Sequence, residues 1–191
     1  MIPMVIELTN PRWGGTILPK NKVVASFELI THSPVETQKL GVRVGELAQP
    51  GDVFLLTGEL GAGKTCLTQG IAWGLGIKEY ALSPTFVIMR ELHGRLPLYH
   101  IDLYRLDKIE ESLDLGLDDY LYGKGICVVE WADKALSILP KKHLLIKIGY
   151  LSDTGRSFRI EGRGERYLEM VKRLRDYETK IPPTPLNKAL I

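Results

Sequence analysis

Residues 58–65, Gly-Glu-Leu-Gly-Ala-Gly-Lys-Thr, constrain this chain more than any other stretch, because they meet the pattern G-x-x-x-x-G-K-[ST] at every required position. The flanks fit as well. "DVFLLTG" is a short apolar run ending in Gly58, suited to a buried strand of a parallel sheet, and "KTCLTQGIAWGLG" has helical periodicity with Gly76 as its stop. Gly58, Gly61 and Gly63 lack a β-carbon, so the backbone can curl and point successive N–H groups at phosphate oxygens near the positive end of the helix. Glu59, Leu60, Gly61, Ala62, Gly63, Lys64 and Thr65 are the expected cradle. Lys64 would reach the β and γ phosphates, and the Thr65 hydroxyl would ligate Mg²⁺.

Such a loop needs an acidic residue at the end of a neighbouring strand to hold the metal or its water. Ile126-Cys127-Val128-Val129-Glu130 supplies four apolar residues and then a carboxylate. "YHIDLYR" is a further polar constellation: strand alternation puts His100, Asp102 and Tyr104 on one face and Ile101 and Leu103 on the other. Asp102 is then either a second carboxylate near the metal, with Arg105 as a nearby positive charge, or part of an edge strand with a surface histidine. "SPTF" sets Ser83 and Thr85 in a polar turn after the strand-loop-helix unit, where nucleotide switches contact γ-phosphate and metal. Trp131 follows Glu130 directly, and its ring is read either as a nucleobase platform or as core.

The chain's 191 residues suit one compact domain. The expected organisation is an irregular N-terminal extension over 1–24, a P-loop ATPase domain over 25–178 and a Pro-rich tail over 179–191. "VVASFELIT" reads as a strand. "THSPVETQKLGVRVGELA" reads as an amphipathic helix with Thr31 or Ser33 as N-cap, Pro34 near its first position, and Val35, Leu40, Val44 and Leu47 as its apolar stripe. "FVIMREL" and "LPLYHIDLYRL" flank the turn "HGR" as in a hairpin, "HLLIKIGYL" and "RSFRIEG" read as a late antiparallel pair, and "RYLEMVKRLRDY" reads as a last helix. The fold class implied is α/β: a three-layer sandwich around a mixed sheet, with a parallel core and antiparallel strands towards the end.

No run approaches the ~18 apolar residues of a membrane span, and the start lacks a basic segment followed by a long apolar one, so a cytoplasmic protein with no membrane role is expected. Cys66 and Cys127 have neither a metal spacing nor a disulfide framework and are read as core thiols. Residues 1–140 carry 13 Lys+Arg against 17 Asp+Glu, whereas residues 141–191 carry 12 against 6. That basic quarter, including Lys172, Arg173 and Arg175, is either a solvated helix face or a contact for nucleic acid.

Guanine-specific P-loop proteins carry N-K-x-D after the loop and usually D-x-x-G; neither occurs here in a usable place, which favours ATP. Arg156, Arg159, Arg163 and Arg166 invite comparison with the arginine-rich lid of small-molecule kinases, but Phe158 and Ile160 alternate with Arg159 and Glu161 as in a half-exposed strand. A metabolite kinase and a non-hydrolysing nucleotide-gated binding module remain the alternatives to an ATPase.

Taken in order, "SPVETQKLG", "GELGAGKT", "SPTF", "YHIDLYRL", "LGLDDYL" and "VVEWADK" resemble the bacterial tRNA threonylcarbamoyladenosine biosynthesis ATPase, the TsaE family, over about residues 33 to 150. The resemblance implies an ATPase that works with the TsaD and TsaB subunits in attaching threonylcarbamoyl to N6 of adenosine 37 of tRNA, without performing the transfer. It implies that Thr65, Asp102 and Glu130 serve Mg²⁺, that Lys64, Asp102 and Glu130 carry the chemistry, that Trp131 meets the adenine, and that Ser83 and Thr85 form a switch. It also brings Thr37 and Arg156 towards the nucleotide, and leaves room for a tRNA contact through the basic C-terminal segment.

Overall fold

The computed structural model of the chain describes residues 24–81, 83–84, 88–106 and 116–178. Thr85, residues 1–23 of the expected extension and the tail from residue 179 lie outside them. Seven strands, β1 (Val24–Thr31), β2 (Val53–Thr57), β3 (Met89–His93), β4 (Pro97–Asp102), β5 (Ile126–Glu130), β6 (His143–Tyr150) and β7 (Arg156–Arg163), form one sheet in the order β1-β7-β6-β2-β5-β4-β3. β2 runs parallel to β5 and β6, and β4 parallel to β5, whereas the β1/β7, β6/β7 and β3/β4 pairs are antiparallel. The mixed α/β sandwich expected from the sequence is the fold found.

Alternation along the central strands divides the core in two. Phe54, Leu56, Ile126, Val128, Ile146 and Ile148 pack on the face covered by helices α1 (Pro34–Leu47), α2 (Lys64–Gly74) and the final helix (Glu165–Glu178). Val53, Leu55, Cys127, Val129 and Leu145 face the other way, towards α3 (Asp118–Leu121), a 3-10 turn (Ala132–Ala135) and Leu139. The final helix, α4, is amphipathic: Met170, Val171 and Leu174 are buried while Lys172, Arg173 and Arg175 are exposed. Arg166 fixes α4 to the turn before β2 by a two-pronged contact with Asp52, 2.6 and 3.2 Å, and a bond to Leu47 O.

α1 and α2 meet backbone to backbone. Gly41 and Gly45 of α1 face Gly70 and Gly74 of α2 so closely that a Cβ at Gly70 would lie 2.1 Å from Gln38 O, and one at Gly45 2.3 Å from Ile71 O. Only glycine permits this approach, and it ties α1 to the helix that carries the phosphate-type loop. α1 itself is capped by Ser33, whose Oγ accepts from Glu36 N at 3.2 Å; the alternative cap, Thr31, is turned inward. The C-terminal turn of α1 has no basic residue of its own, and Arg95 from the β3–β4 hairpin fills the role by donating to Gly45 O at 2.6 Å and Ala48 O at 2.9 Å.

Four expectations are corrected. Val35 is 58 % exposed, so it lies off the apolar stripe that Leu40, Val44 and Leu47 form. Cys127 is buried, but Cys66 is only half-buried at the start of α2, where its thiol faces Pro34 O at 3.5 Å. Glu161 does not share the solvent with its strand neighbours: it is buried beneath Arg159 and Lys147, at 2.8 and 3.3 Å. β4 is an inner strand between β3 and β5, which removes the edge-strand reading of His100.

Candidate active site

The loop leaves β2 at Thr57 and enters α2 at Lys64, with Gly58, Gly61 and Gly63 at φ +147°, +76° and +102°. These values are accessible to glycine at little cost. Gly63, the N-cap of α2, has no side chain with which to bond the helix's N-terminal donors. Leu60 at the loop tip is 76 % exposed.

Lys64 is 5 % exposed and donates to Gly58 O at 2.7 Å and Glu59 O at 2.9 Å. Burial pushes its ammonium below the ordinary lysine value, and the carboxylates of Glu130, Asp102 and Asp133 act in the opposite sense. A buried cation beside open backbone donors is an anion site in waiting.

Thr65 Oγ1 donates to Glu130 Oε2 at 2.9 Å, while Glu130 Oε1 is met by Thr68 Oγ1 at 3.1 Å and by His100 Nε2 at 2.7 Å. The strands explain why these groups meet. β4 and β5 are parallel with Asp102 opposite Glu130, and alternation turns His100, Asp102 and Glu130 to the face on which α2 lies. Thr65 and Thr68, three apart on α2, then point down at the same carboxylate. Asp102 is 3 % exposed and accepts from Tyr104 N at 2.9 Å and from the Ser83 hydroxyl. Its own N–H donates to Ile88 O at 2.8 Å.

Among the described residues two non-glycine residues take left-handed backbone, Ile88 at φ 65° and Trp131 at φ 59°, and both flank this cluster. For a β-branched residue such as Ile88 the conformation is strained, and strain of this kind concentrates at functional segments. The Trp131 ring lies 3.6 Å from Lys64 Nζ and packs against Tyr104 with ring centres 4.9 Å apart. It is thus engaged at the phosphate end of the loop, which departs from the expected adenine platform.

The arginines are spent on structure. Arg156 donates to Gly61 O and Ala62 O at 3.1 and 2.9 Å, and to Ser152 O and Gly155 O at 2.7 and 2.8 Å. It braces the loop by its carbonyls and offers no fork to a phosphate. Arg159 pairs with Glu161 and Glu28, and Arg166 with Asp52, so these positions form no lid. Thr37 is 1 % exposed with its hydroxyl on Thr31 Oγ1 at 2.8 Å, which removes it from contact with a ligand in this conformation.

The cluster fits a hard cation held jointly with phosphates: a hydroxyl and two carboxylates at strand ends, all oxygen donors. Among the described residues no three His, Cys, Asp or Glu side chains form a metal cage, as expected where substrate phosphates complete the shell. Lys64, Thr65, Ser83, Asp102, Glu130 and Trp131 are brought together as the sequence suggested. Thr68 was missed; its spacing of three from Thr65 was the available signal. Among the described residues no helix is long and apolar enough to cross a membrane.

Comparison with known proteins identifies the chain's family. The family model for "Threonylcarbamoyl adenosine biosynthesis protein TsaE" matches residues 31–158. A protein of Treponema pallidum named tRNA threonylcarbamoyladenosine biosynthesis protein TsaE is 42 % identical over 131 residues, covering 69 % of this chain and 97 % of its own. The protein of the same name from Bacillus subtilis is 46 % identical over 138 residues, covering 72 % and 86 %. The crystal structure of Bacillus subtilis YdiB superposes with a TM-score of 0.72 at 38 % identity, over 82 % of this chain and 98 % of that one. With its phosphate-type loop, paired strand-end carboxylates and a family match that spans them all, this chain belongs to the TsaE family.

Proposed function

We propose that the protein is an ATPase of tRNA N6-threonylcarbamoyladenosine synthesis, using ATP with Mg²⁺ to drive a conformational cycle in concert with TsaD and TsaB subunits, and leaving the transfer itself to them. The observation that carries the reading is the direct Thr65–Glu130 contact beside Lys64. Phosphoryl transfer asks chiefly for positioning and charge neutralisation. Lys64 and the N-terminus of α2 would neutralise the β and γ phosphates; Thr65, Asp102 and Glu130 would hold the cation. Mg²⁺, when bound, supplies charge neutralisation at the phosphate oxygens.

Thr65 Oγ1 would help hold the cation, and Glu130, whose Oε2 it now contacts, would orient the attacking water and accept its proton. Ser83, bonded to Asp102, and the strained Ile88 that follows its segment support a switch that senses the γ-phosphate. A cytoplasmic setting follows from the tRNA substrate, and the exposed Lys172, Arg173 and Arg175 are available for a tRNA contact.

Lys64→Ala should abolish ATP binding or hydrolysis, whereas Glu130→Ala should spare binding more than turnover, as read by nucleotide titration and phosphate release. Wild-type turnover in Lys64→Ala overturns the site. Reconstituted tRNA modification with TsaD and TsaB subunits, ATP and tRNA should require this protein; modification at full rate without it overturns the pathway. Stimulation of ADP formation by one small molecule, with a phosphorylated product, would establish a kinase instead, and stoichiometric retention of ATP with no ADP formed would establish a binding module.

A further inference from the structure

We infer that His100 is the positioning residue for Glu130, fixing which carboxylate oxygen faces Thr65; the inference rests on the ATPase reading above. His100 is 0 % exposed, and its Nε2 lies 2.7 Å from Glu130 Oε1. Its other nitrogen, Nδ1, is buried and has no hydrogen-bond partner among the described residues. A histidine kept for the fold alone gains from having both nitrogens bonded, because a buried polar atom without a partner is costly. An apolar side chain in the same space would avoid that cost. Among the described residues the one polar contact of the His100 side chain is with the carboxylate that the site depends on.

The second anchor of Oε1 is weaker. Thr68 has a single hydroxyl proton, and its Oγ1 lies 3.1 Å from Glu130 Oε1 and 3.0 Å from Lys64 O, so the helix carbonyl competes for it. His100 comes from the adjacent strand, two residues before Asp102, and is locked by β-sheet pairing with its Cα opposite Val128. With Oε1 pinned from the sheet, the carboxylate plane cannot swing, and Oε2 is left facing Thr65. Groups that orient a metal-binding carboxylate in this way typically change metal affinity or activity about 10–100-fold when removed.

Glutamine and asparagine separate this role from mere packing. A glutamine amide nitrogen extends to about the Nε2 position, whereas an asparagine amide stops near Nδ1, and both bury the same functional group. The readouts are ADP affinity by calorimetry with Mg²⁺ and with chelator, ATP turnover, and thermal melting of the full chain. His100→Gln should keep the Mg²⁺-dependent gain in ADP affinity and most of the turnover. His100→Asn should lose that gain and turn over about 10–100-fold more slowly, with ADP affinity in chelator unchanged. If the wild-type chain neither binds nor hydrolyses ATP, the ATPase reading fails. If it does both and the two variants behave alike, whether both intact, both impaired or both unfolded, the positioning role is overturned.

Discussion

Gly70→Ala tests the backbone contact between α1 and the helix that carries the loop, and two effects oppose each other there. Alanine is the better helix former by about 1 kcal/mol, so a helix with open space beside Gly70 would be stabilised. In this fold the new Cβ would lie 2.1 Å from Gln38 O, 2.9 Å from Gln38 C and 2.9 Å from Gly41 Cα, all backbone atoms that cannot rotate aside. Reaching ordinary contact requires α1 and α2 to separate by about 1 Å, a gap that forfeits a quarter to a half of each dispersion contact across the interface. Overpacking of this kind costs about 3 kcal/mol, so the net effect is destabilisation of about 2 kcal/mol. For a chain of this size that is a fall of about 4–8 °C in Tm. Circular dichroism melts of both chains measure it directly. Gly70→Ala with an unchanged or raised Tm would refute the close approach and leave helix propensity as the deciding effect.

Other expectations follow from single contacts. Tyr167→Phe should cost about 1–3 kcal/mol in a denaturant melt without altering nucleotide affinity, because Tyr167 Oη is the acceptor for the buried Val53 N–H at 2.8 Å. Arg156→Lys should weaken ADP binding about tenfold in a titration, since an ammonium cannot span Gly61 O and Ala62 O as the planar fork does. Burial holds the Lys64 ammonium below its ordinary 10.5, and bound phosphates would raise it again by adding negative charge. ADP binding should therefore be accompanied by proton uptake at alkaline pH, by calorimetry in two buffers of different ionisation enthalpy; proton release there would contradict this. Burial also pushes the Cys127 thiol up to about 12, so alkylation at pH 8 followed by mass spectrometry should modify Cys66 and leave Cys127 untouched until the chain unfolds.

What could be read from the sequence was what neighbouring residues decide among themselves. The loop, its strand and its helix are specified within twenty-two residues, and the alternation in "ICVVE" already separates the two faces of the sheet. What neighbouring residues did not show has partners far away in sequence. Arg95 caps α1 from about fifty residues downstream, and Arg156 reaches back over ninety residues to Gly61 and Ala62. Nothing local to "GRSFRIEG" says that its arginine will meet carbonyls and not phosphate. His100 looked equally suited to an edge strand or a site because strand order, a global property, decides its burial.

The residues expected to hold a nucleotide at present hold one another. Lys64 lies on two loop carbonyls and beneath Trp131, Thr65 on Glu130, and Ser83 on Asp102. Phosphate and metal would compete for these same atoms, so the free energy of binding is what remains after the internal contacts are exchanged. On the proposed reading, that exchange would also carry the signal. Trp131 and Ser83 sit on strained or irregular backbone next to Ala132 and Pro84, whereas Glu130 and Asp102 end buried strands held by ladder pairing. On the proposed reading, a ligand that took the fixed members would exchange the contacts that Trp131 and Ser83 now make. On that reading a change of nucleotide state would be expressed at the surface beside the loop, where a partner protein could read it, while the sheet beneath stayed as it is.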